Sequence, residues 1–164
     1  MNSILSDTKA VNDTQKGKYL TFYIGNDVYG IAIKHVKEII GIQPYTEIPQ
    51  LEKYVRGVIN LRGNIIPLMD VRLKFNMPFK EYDNRTCIIV ININGISLGI
   101  IVDCVLEVLA IADENISLPP SFKVENQHLI NGIGKVGDEI KLLIDCSKLI
   151  SDDGINNLME NMWN

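Results

Sequence analysis

The sequence predicts a mainly β protein made of two small, linked β-barrels, and three observations support this fold class. Apolar residues alternate along short runs that end at Gly, Asn or Asp turn residues, which is typical of β-hairpins. The same order of hairpins occurs twice, so one structural unit is expected to be repeated. Short, strongly twisted strands tend to curl into barrels, which also removes exposed strand edges.

The first part of the repeat aligns residues 20–40 with residues 88–109 at an offset of 69. Each segment reads as a hairpin, with a turn at residues 25–27 in the first copy and 94–95 in the second. Five of the matched pairs are identical in residue type: Ile24–Ile93, Gly30–Gly99, Ile31–Ile100, Val36–Val105 and Glu38–Glu107.

The second part of the repeat aligns residues 57–71 with residues 132–146 at an offset of 75. Since the offset grows from 69 to 75, the second connection is six residues longer than the first. The matched pairs again share their residue types: Gly57–Gly132, Ile65–Ile140, Leu68–Leu143 and Asp70–Asp145. The repeat places the two barrels at about 20–71 and 88–146, between which strands could be exchanged.

A short helical segment is predicted after the first hairpin of each copy. Its apolar residues recur at helical spacing: Val36, Ile39 and Ile40 in the first copy, and Val105, Val108 and Leu109 in the second. Prolines then break the chain before a second hairpin closes the unit.

The two ends of the chain differ from the repeat. Residues 1–17 are expected to be a flexible leader, and residues 152–164 an amphipathic helical tail that either packs on its own domain or frays. Asp152 or Asp153 is a plausible N-cap for this helix. No apolar run approaches the roughly 18 residues that span a membrane, so a cytoplasmic protein without membrane insertion is expected.

No metal or redox site is predicted. The only histidines, His35 and His128, have no second likely metal ligand at helical or hairpin spacing. The three cysteines form no C-x-x-C pair, which excludes the usual ligand spacing for zinc binding and redox exchange. Each lies in an apolar stretch and is expected to be a buried, reduced thiol: Cys87, Cys104 and Cys146.

No cofactor site and no catalytic group are predicted, so the chain is not expected to be an enzyme. Residues 132–137 fit the pattern G-x-G-x-x-G. A turn and a strand follow them, whereas a phosphate site needs a helix there, so the motif is interpreted as a hairpin turn. Asp70 and Asp145 are matched carboxylates at strand ends, where capping a turn explains them better than acid–base catalysis.

Four segments together resemble the CheW family of bacterial chemotaxis adaptors: YGIAIKHVKEII, GVINLRGNIIPLMDVRLKF, LGIIVDCVLEVL and GIGKVGDEIKLLID. The resemblance covers residues 18–151, and its pattern G-V-x-N-L-R-G followed by P-x-x-D-x-R-x-K-F is highly specific. It implies a CheW-like fold, in which two SH3-like, five-stranded barrels are intertwined and carry short helical segments and a C-terminal helix.

The resemblance also implies a function. CheW adaptors couple the cytoplasmic tips of methyl-accepting chemoreceptors to the regulatory domain of the histidine kinase CheA, at the inner face of the membrane, without catalysis. The same domain occurs within CheA and in CheV. The short segments on either side of the domain leave no room for an ATPase or receiver domain, so a free-standing adaptor is expected.

The resemblance assigns a receptor-binding surface. Glu38 and Arg62 would lie near it, and three valines would line a groove for the receptor's helical hairpin tip: Val36, Val105 and Val108. The valines could equally be core residues, because apolar spacing alone does not separate the two cases. Arg62 matches Gly137 in the repeat, so the barrel does not require a cation there. An exposed ion pair contributes only ~0–1 kcal/mol, so recognition explains Arg62 better than stability.

The resemblance also assigns a kinase-binding surface. Tyr45, Ile48 and Gly57 in the first barrel would pair with the CheA regulatory domain. Phe122 matches an aromatic residue in a second contact that closes adaptor–kinase rings, although it could instead be a staple onto the barrel.

The alternative function is a small-barrel nucleic-acid-binding module, or another protein-interaction module outside chemotaxis. Nucleic-acid binding needs a basic groove with stacking aromatic residues. The chain has a net charge of −4, and residues 86–164 carry 4 basic and 11 acidic residues against 12 and 9 in residues 1–85. Its aromatic residues are not interleaved with Lys or Arg runs, so no nucleic-acid partner is expected.

Overall fold

The computed structural model describes residues 15–119 and 127–163, and within them strands dominate. The strands are β1 (Lys18–Ile24), β2 (Asp27–Ala32), β3 (Val36–Gly41), β4 (Val55–Leu61), β5 (Asn64–Asp70), β6 (Cys87–Ile93), β7 (Ile96–Val102), β8 (Cys104–Ala110), β9 (Ile116–Ser117), β10 (Ile130–Val136) and β11 (Glu139–Ile144). The α-helices are α1 (Val71–Lys74), α2 (Cys146–Ile150) and α3 (Asp153–Trp163). Short 3₁₀ turns occupy Ile33–His35, Asp113–Asn115 and Gln127–Leu129.

The strands form two sheets, and each sheet takes strands from both copies of the repeat. The six-stranded sheet has the order β8-β1-β2-β11-β10-β9, and the five-stranded sheet has the order β3-β6-β7-β5-β4. Two parallel pairings join the copies, β2 with β11 and β5 with β7. The predicted mainly β, intertwined architecture is therefore confirmed, and the exchange is reciprocal.

Within the described residues, strand pairing closes neither sheet into a barrel, but each sheet curls so that the chain brings its two edge strands toward each other. Thr46, five residues after the end of β3, forms an isolated bridge with Val58 of β4, the opposite edge strand. In the six-stranded sheet the chain that leaves β8 continues into β9, which pairs with β10. Each sheet therefore curls as a barrel would but remains open.

The predicted hairpins are all present. In the first copy β1 pairs with β2 and β4 with β5, and in the second copy β6 pairs with β7 and β10 with β11. Residues 132–137, which fit the dinucleotide motif, form the end of β10 and the start of its turn. The interpretation of this segment as a hairpin is confirmed.

The helical segments predicted after the first hairpin of each copy are wrong, because these residues form strands β3 and β8. In β3, Val36 lies opposite Ile91 and Ile39 lies opposite Ile89, with one extra residue inserted between the two pairs. Since Ile89 and Ile91 are two positions apart, they share a face, and so do Val36 and Ile39. A β-bulge thus puts residues three positions apart on one face, which imitates helical spacing.

The second copy repeats this bulge. Val105 lies opposite Phe22 and Val108 opposite Leu20, with an irregularity between the two pairs. The hydroxyl of Thr21 accepts a hydrogen bond from the backbone N–H of Glu107 and donates one to its carbonyl, at 3.3 and 2.7 Å. These two bonds stabilise the bulge from the neighbouring strand.

The main core contains residues from both sheets. Its fully buried members include Phe22, Ile31, Met69, Ile91 and Leu98. A smaller cluster lies within the five-stranded sheet: Ile59, Ile66, Leu68, Ile88, Val90 and Ile101. Burying an aliphatic or aromatic side chain of this kind contributes about 1.5–3 kcal/mol, so the exchanged strands are held mainly by apolar packing.

Matched carboxylates begin the two short helices. Asp70 accepts a hydrogen bond from the N–H of Leu73 at 3.2 Å, and Asp145 accepts one from the N–H of Ser147 at 3.0 Å. Both carboxylates therefore act as caps, as predicted, although they cap the helices α1 and α2 and not turns.

The predicted C-terminal helix forms and packs on its own domain. Ile155 and Leu158 of α3 are buried in the main core. Asp152 is the N-cap, since its carboxylate accepts a hydrogen bond from the N–H of Ile155 at 3.1 Å. Among the described residues, no helix is long and apolar enough to cross a lipid bilayer.

The cysteines are free thiols, as expected, but the expectation that all three are buried is wrong. Cys146 is buried, whereas Cys87 and Cys104 are partly exposed. Each is the first residue of its strand, Cys87 of β6 and Cys104 of β8. Burial and the nearby charge of Asp145 raise the pKa of Cys146 to about 12.

Candidate functional site

Arg62 occupies the tip of the β4–β5 hairpin in a backbone conformation that suits glycine. Leu61 pairs with Asn64, so the loop has two residues, Arg62 and Gly63, with φ of 51° and 89°. Positive φ at both central positions defines a type I′ turn, which favours Asn, Asp or Gly. The matched hairpin of the second copy has Gly137 with φ of 61°. An arginine in this conformation is less stable than glycine, by roughly 1–2 kcal/mol.

The Arg62 side chain extends back over the sheet to Glu38. Its Nη2 donates a hydrogen bond to Oε1 of Glu38, which lies on β3 at the opposite edge of the five-stranded sheet. This contact requires the sheet to curl. The Arg62 side chain is 66% exposed and that of Glu38 is 23% exposed, so the ion pair is presented to solvent. The structure thus brings together the two charged residues of the predicted receptor surface.

The other cations in the same sequence motif are only partly exposed and form ion pairs within the chain. Arg72 contacts Asp103 at 2.6 Å, and Lys74 contacts Asp152 at 2.6 Å. Their side chains are only 16% and 12% exposed. The hydrogen bond to Asp103 raises the pKa of Arg72 above its ordinary value. Arg62 is therefore the cation of this motif whose side chain is mostly exposed.

The three predicted groove valines differ in exposure. Val36 and Val105 are partly buried and pack against the main core, whereas Val108 is 48% exposed. The core alternative therefore describes much of Val36 and Val105, and it does not describe Val108. Ile39, the repeat equivalent of Val108, is 43% exposed. The sequence analysis named Ile39 as part of a helical segment but did not assign it to the receptor surface.

The bulge in β3 separates Val36 from Glu38. Glu38 lies opposite Val90, a member of the smaller core cluster, whereas Val36 lies opposite Ile91 of the main core. Neighbouring residues of β6 point to opposite faces, so Glu38 and Val36 do so as well. The structure therefore does not combine these two residues on one face of β3.

The residues of the predicted kinase surface lie between β3 and the middle of β4. Tyr45 packs against the smaller cluster and Ile48 against the main core, and both are partly exposed. Gly57 is buried with φ of 144°, and a Cβ there would lie 2.1 Å from the carbonyl oxygen of Thr46. The close approach of this segment accounts for the glycine. Phe122 lies outside the described residues.

An exposed aromatic residue beside Arg56 was missed by the sequence analysis. Phe79 is 48% exposed, and the guanidinium of Arg56 lies 5.1 Å from its ring centroid. Tyr82 contacts the Phe79 ring edge to face, with 5.4 Å between centroids. Burial alone would lower the pKa of Arg56, but its hydrogen bond to Tyr45 and nearby groups raise it. Apart from the proline that precedes it, nothing in the sequence distinguishes Phe79 from other loop residues.

Within residues 15–119 and 127–163, no group of three or more His, Cys, Asp or Glu side chains could hold a metal ion. The candidate site consists of an ion pair, partly exposed apolar residues on two bulged strands, and an aromatic cluster. Such a combination suits the binding of another protein.

Comparisons with known proteins agree with this fold and this motif. Residues 18–154 match the sequence model of the CheW-like domain. The chain is 36% identical over 154 residues to the chemotaxis protein CheW of Klebsiella aerogenes, covering 93% of each chain. It is 32% identical over 136 residues to the chemotaxis protein CheW of Helicobacter pylori, covering 83% of this chain and 82% of that one. The crystal structure of the scaffolding protein TtCheW from Thermoanaerobacter tengcongensis superposes with a TM-score of 0.78 and 31% identity, covering 84% of this chain and 94% of that one.

Proposed function

The chain belongs to the CheW family, and from this membership we infer that it is a non-catalytic scaffold of bacterial chemotaxis signal transduction. In this role it couples the cytoplasmic tips of methyl-accepting chemoreceptors to the regulatory domain of the histidine kinase CheA. It acts in the cytoplasm at the inner face of the membrane, where receptors and kinase are held together.

The receptor-binding part of the proposal rests on the backbone conformation and the side-chain exposure of Arg62. This residue keeps a backbone conformation that favours glycine, and its side chain is 66% exposed. An exposed ion pair with Glu38 contributes at most about 1 kcal/mol, which does not exceed the conformational cost. A residue that the fold disfavours at its own position is best explained by a contact outside the fold.

Partly exposed apolar residues on β3 and β8 supply the rest of the proposed receptor surface. Val36 and Val105 would contribute their exposed edges, and Val108 a larger area. Ile39 adds the matching area on β3. Partly exposed apolar side chains suit one face of an amphipathic helix.

The proposed kinase surface includes Tyr45 and Ile48, with Gly57 shaping the backbone beneath them. Phe79 and Arg56 extend this surface, since exposed aromatic and arginine side chains often dominate binding energy. Phe122 stays a predicted second contact with the kinase.

The proposal is tested by titrating the protein with a receptor cytoplasmic fragment and, separately, with the CheA regulatory domain. The substitution Arg62→Glu places a carboxylate beside Glu38 and should weaken receptor binding by at least about 30-fold, equivalent to about 2 kcal/mol. Binding to the kinase domain should change by less than about 3-fold, a difference of under about 0.7 kcal/mol. Lys135→Glu, which reverses an exposed cation on β10, is the matched control and should leave both affinities unchanged.

A second variant separates the effect of the turn conformation on stability from the effect of the side chain on receptor binding. Arg62→Gly relieves the positive φ and should leave the free energy of unfolding unchanged or raise it by up to about 1 kcal/mol. It should still lose receptor affinity. Unchanged receptor binding by both Arg62 variants would contradict the receptor surface, and failure of the unsubstituted protein to bind either partner would contradict the adaptor role.

A further inference from the structure

The second copy of the repeat carries an open groove at the position where the first copy carries the Glu38–Arg62 pair. This groove, the β8–β11 groove, has a volume of about 680 Å³ and lies between β8, the β1–β2 turn and the β10–β11 turn. Leu106 and Glu107 contribute from β8, and Asp138 and Ile140 from the β10–β11 hairpin. Asp27 contributes from the start of β2.

The two positions are equivalent in strand register as well as in sequence. On β3, Glu38 lies between the pairs Val36–Ile91 and Ile39–Ile89. On β8, Glu107 lies between the pairs Val105–Phe22 and Val108–Leu20. Each of these four residues is 69 positions away from its equivalent in the β3–β6 pairs. The same bulge therefore positions both glutamates beside the tip of the following hairpin.

The hairpin tips differ at both loop residues, which are Arg62-Gly63 in the first copy and Gly137-Asp138 in the second. In the first copy the Arg62 side chain reaches Glu38 and neutralises it. In the second copy Gly137 takes that position with φ of 61°, and a Cβ there would meet no atom within 4 Å. The space that a guanidinium occupies beside Glu38 is thus open beside Glu107.

The charge of the β8–β11 groove is unbalanced. Lys141 is the cation that lines it, and its Nζ already pairs with Glu139 at 2.7 Å. Among the described residues, the carboxylates of Asp27, Glu107 and Asp138 have no hydrogen-bond or ion-pair partner. Leu106 and Ile140 are 40% and 61% exposed at the same groove. The surface therefore combines a net negative charge with two exposed apolar side chains.

We propose that the β8–β11 groove binds an arginine of a partner protein that is flanked by apolar side chains. The guanidinium pairs with Glu107 in the way that Arg62 pairs with Glu38, while Leu106 and Ile140 cover the flanking side chains. The Arg62–Glu38 ion pair supports this contact, because it shows that a glutamate at this bulge can bind a guanidinium group. The proposal is independent of the adaptor role and of the surface around Arg62.

The test uses a short peptide, acetyl-Leu-Arg-Leu-amide, titrated into the ¹⁵N-labelled protein and followed by amide chemical shifts. The expected result is saturable shifts in residues 104–110 and 136–141, with a dissociation constant in the millimolar range. The control peptide acetyl-Leu-Gln-Leu-amide lacks the charge and should bind at least about 5-fold more weakly, the equivalent of one exposed ion pair. Because the contact is electrostatic, the difference should shrink at about 1 M salt.

Substitutions at the hairpin tip make the test specific. Gly137→Arg should close the groove from within the chain, as Arg62 does in the first copy, and weaken the arginine peptide by at least about 5-fold. Gly137→Gln has the same backbone cost without the charge and should retain binding. Glu107→Gln should reduce affinity as Gly137→Arg does, and it leaves the turn unaltered.

Three results would overturn the proposal. They are equal binding of the arginine and glutamine peptides, unchanged binding by Gly137→Arg and Glu107→Gln, or shifts centred on Glu38 and Arg62. Thermal unfolding of each variant checks that it is folded, and Glu107→Gln keeps the test decisive if Gly137→Arg is destabilised.

Discussion

Leu68 lies directly opposite Gly99 in the parallel pairing of β5 with β7, and a Cβ on that glycine would lie 2.7 Å from Cδ2 of Leu68. The repeat reproduces this relationship between Leu143 and Gly30, where the distance is 3.1 Å. In each case a leucine of one copy fills the space that a glycine of the other copy leaves. The two copies are therefore joined by complementary shapes at both parallel pairings.

This relationship predicts the effect of adding one methyl group. Gly99→Ala should lower the free energy of unfolding by about 1–3 kcal/mol, because the new Cβ overpacks a buried position against Leu68 and Ile88. Gly30→Ala is the matched control and should cost less, since its closest contact is looser. Urea denaturation of both variants measures the difference, and equal stability of the two would contradict the packing argument.

Asp152 should contribute more to stability than its neighbour Asp153. Its buried carboxylate accepts hydrogen bonds from Tyr54 and Lys74, at 2.7 and 2.6 Å, and caps α3 through Ile155. Asp152→Ala should cost about 3 kcal/mol or more, because it removes a cap and leaves the other groups without their shared acceptor. Asp153→Ala, at an exposed position, should cost less than about 1 kcal/mol. Thermal unfolding that ranks the two variants in the opposite order would refute this assignment.

Phe79 should matter for the kinase and little for the receptor. Its ring is about half exposed beneath the Arg56 guanidinium, so Phe79→Ala should cost less than about 1.5 kcal/mol in stability. Loss of an aromatic contact at an interface centre typically costs about 2 kcal/mol of binding, or roughly 30-fold in affinity. Titration with the CheA regulatory domain and with the receptor fragment distinguishes the two surfaces. Equal weakening of both partners would assign Phe79 to general stability.

The cysteines should differ in reactivity, and Cys146 should make the fold sensitive to alkali. At pH 8 a thiol reagent should modify the partly exposed Cys87 and Cys104 well before the buried Cys146. Folding raises the pKa of Cys146 from its ordinary value of 9.0 to about 12. Its stabilising effect is therefore complete below pH 9 and is lost as the pH rises toward 12.

The measurement is the urea midpoint between pH 8 and 12 for the protein and for Cys146→Ala. The variant is expected to be less stable at pH 8 because it leaves a cavity. It should, however, show a shallower decline with pH, since it has no thiol to ionise on unfolding. Parallel declines would show that Cys146 does not contribute to the alkaline transition.

Local sequence signals predicted the hairpins because turn chemistry acts over a few residues. Two-residue loops with Gly or Asn at positive φ formed where the pattern placed them, including Asn94-Gly95. The same local reading was wrong for β3 and β8, because a bulge moves an apolar residue by one position and imitates the period of a helix. The short, β-branched composition of these segments was the signal that favoured strands.

For a similar reason, the sequence predicted some residues of the candidate site and missed others. The motif around Arg62 identified the charged residues, but all its cations look alike in sequence. Burial separated Arg62 from Arg72 and Lys74, and burial depends on Asp103 and Asp152, which lie far along the chain. Phe79 was missed because its exposure depends on how the connection between the copies packs against Arg56.

The sequence by itself determined the β content, the hairpin turns, the repeat and the family motif, because each depends on neighbouring residues or on a regular spacing. Only the tertiary structure decided which strands pair across the copies, and hence that Leu68 meets Gly99 and Leu143 meets Gly30. Parallel pairing between distant segments has no turn to specify it. It is selected by the fit of buried side chains, and that fit exists only once both sheets have formed.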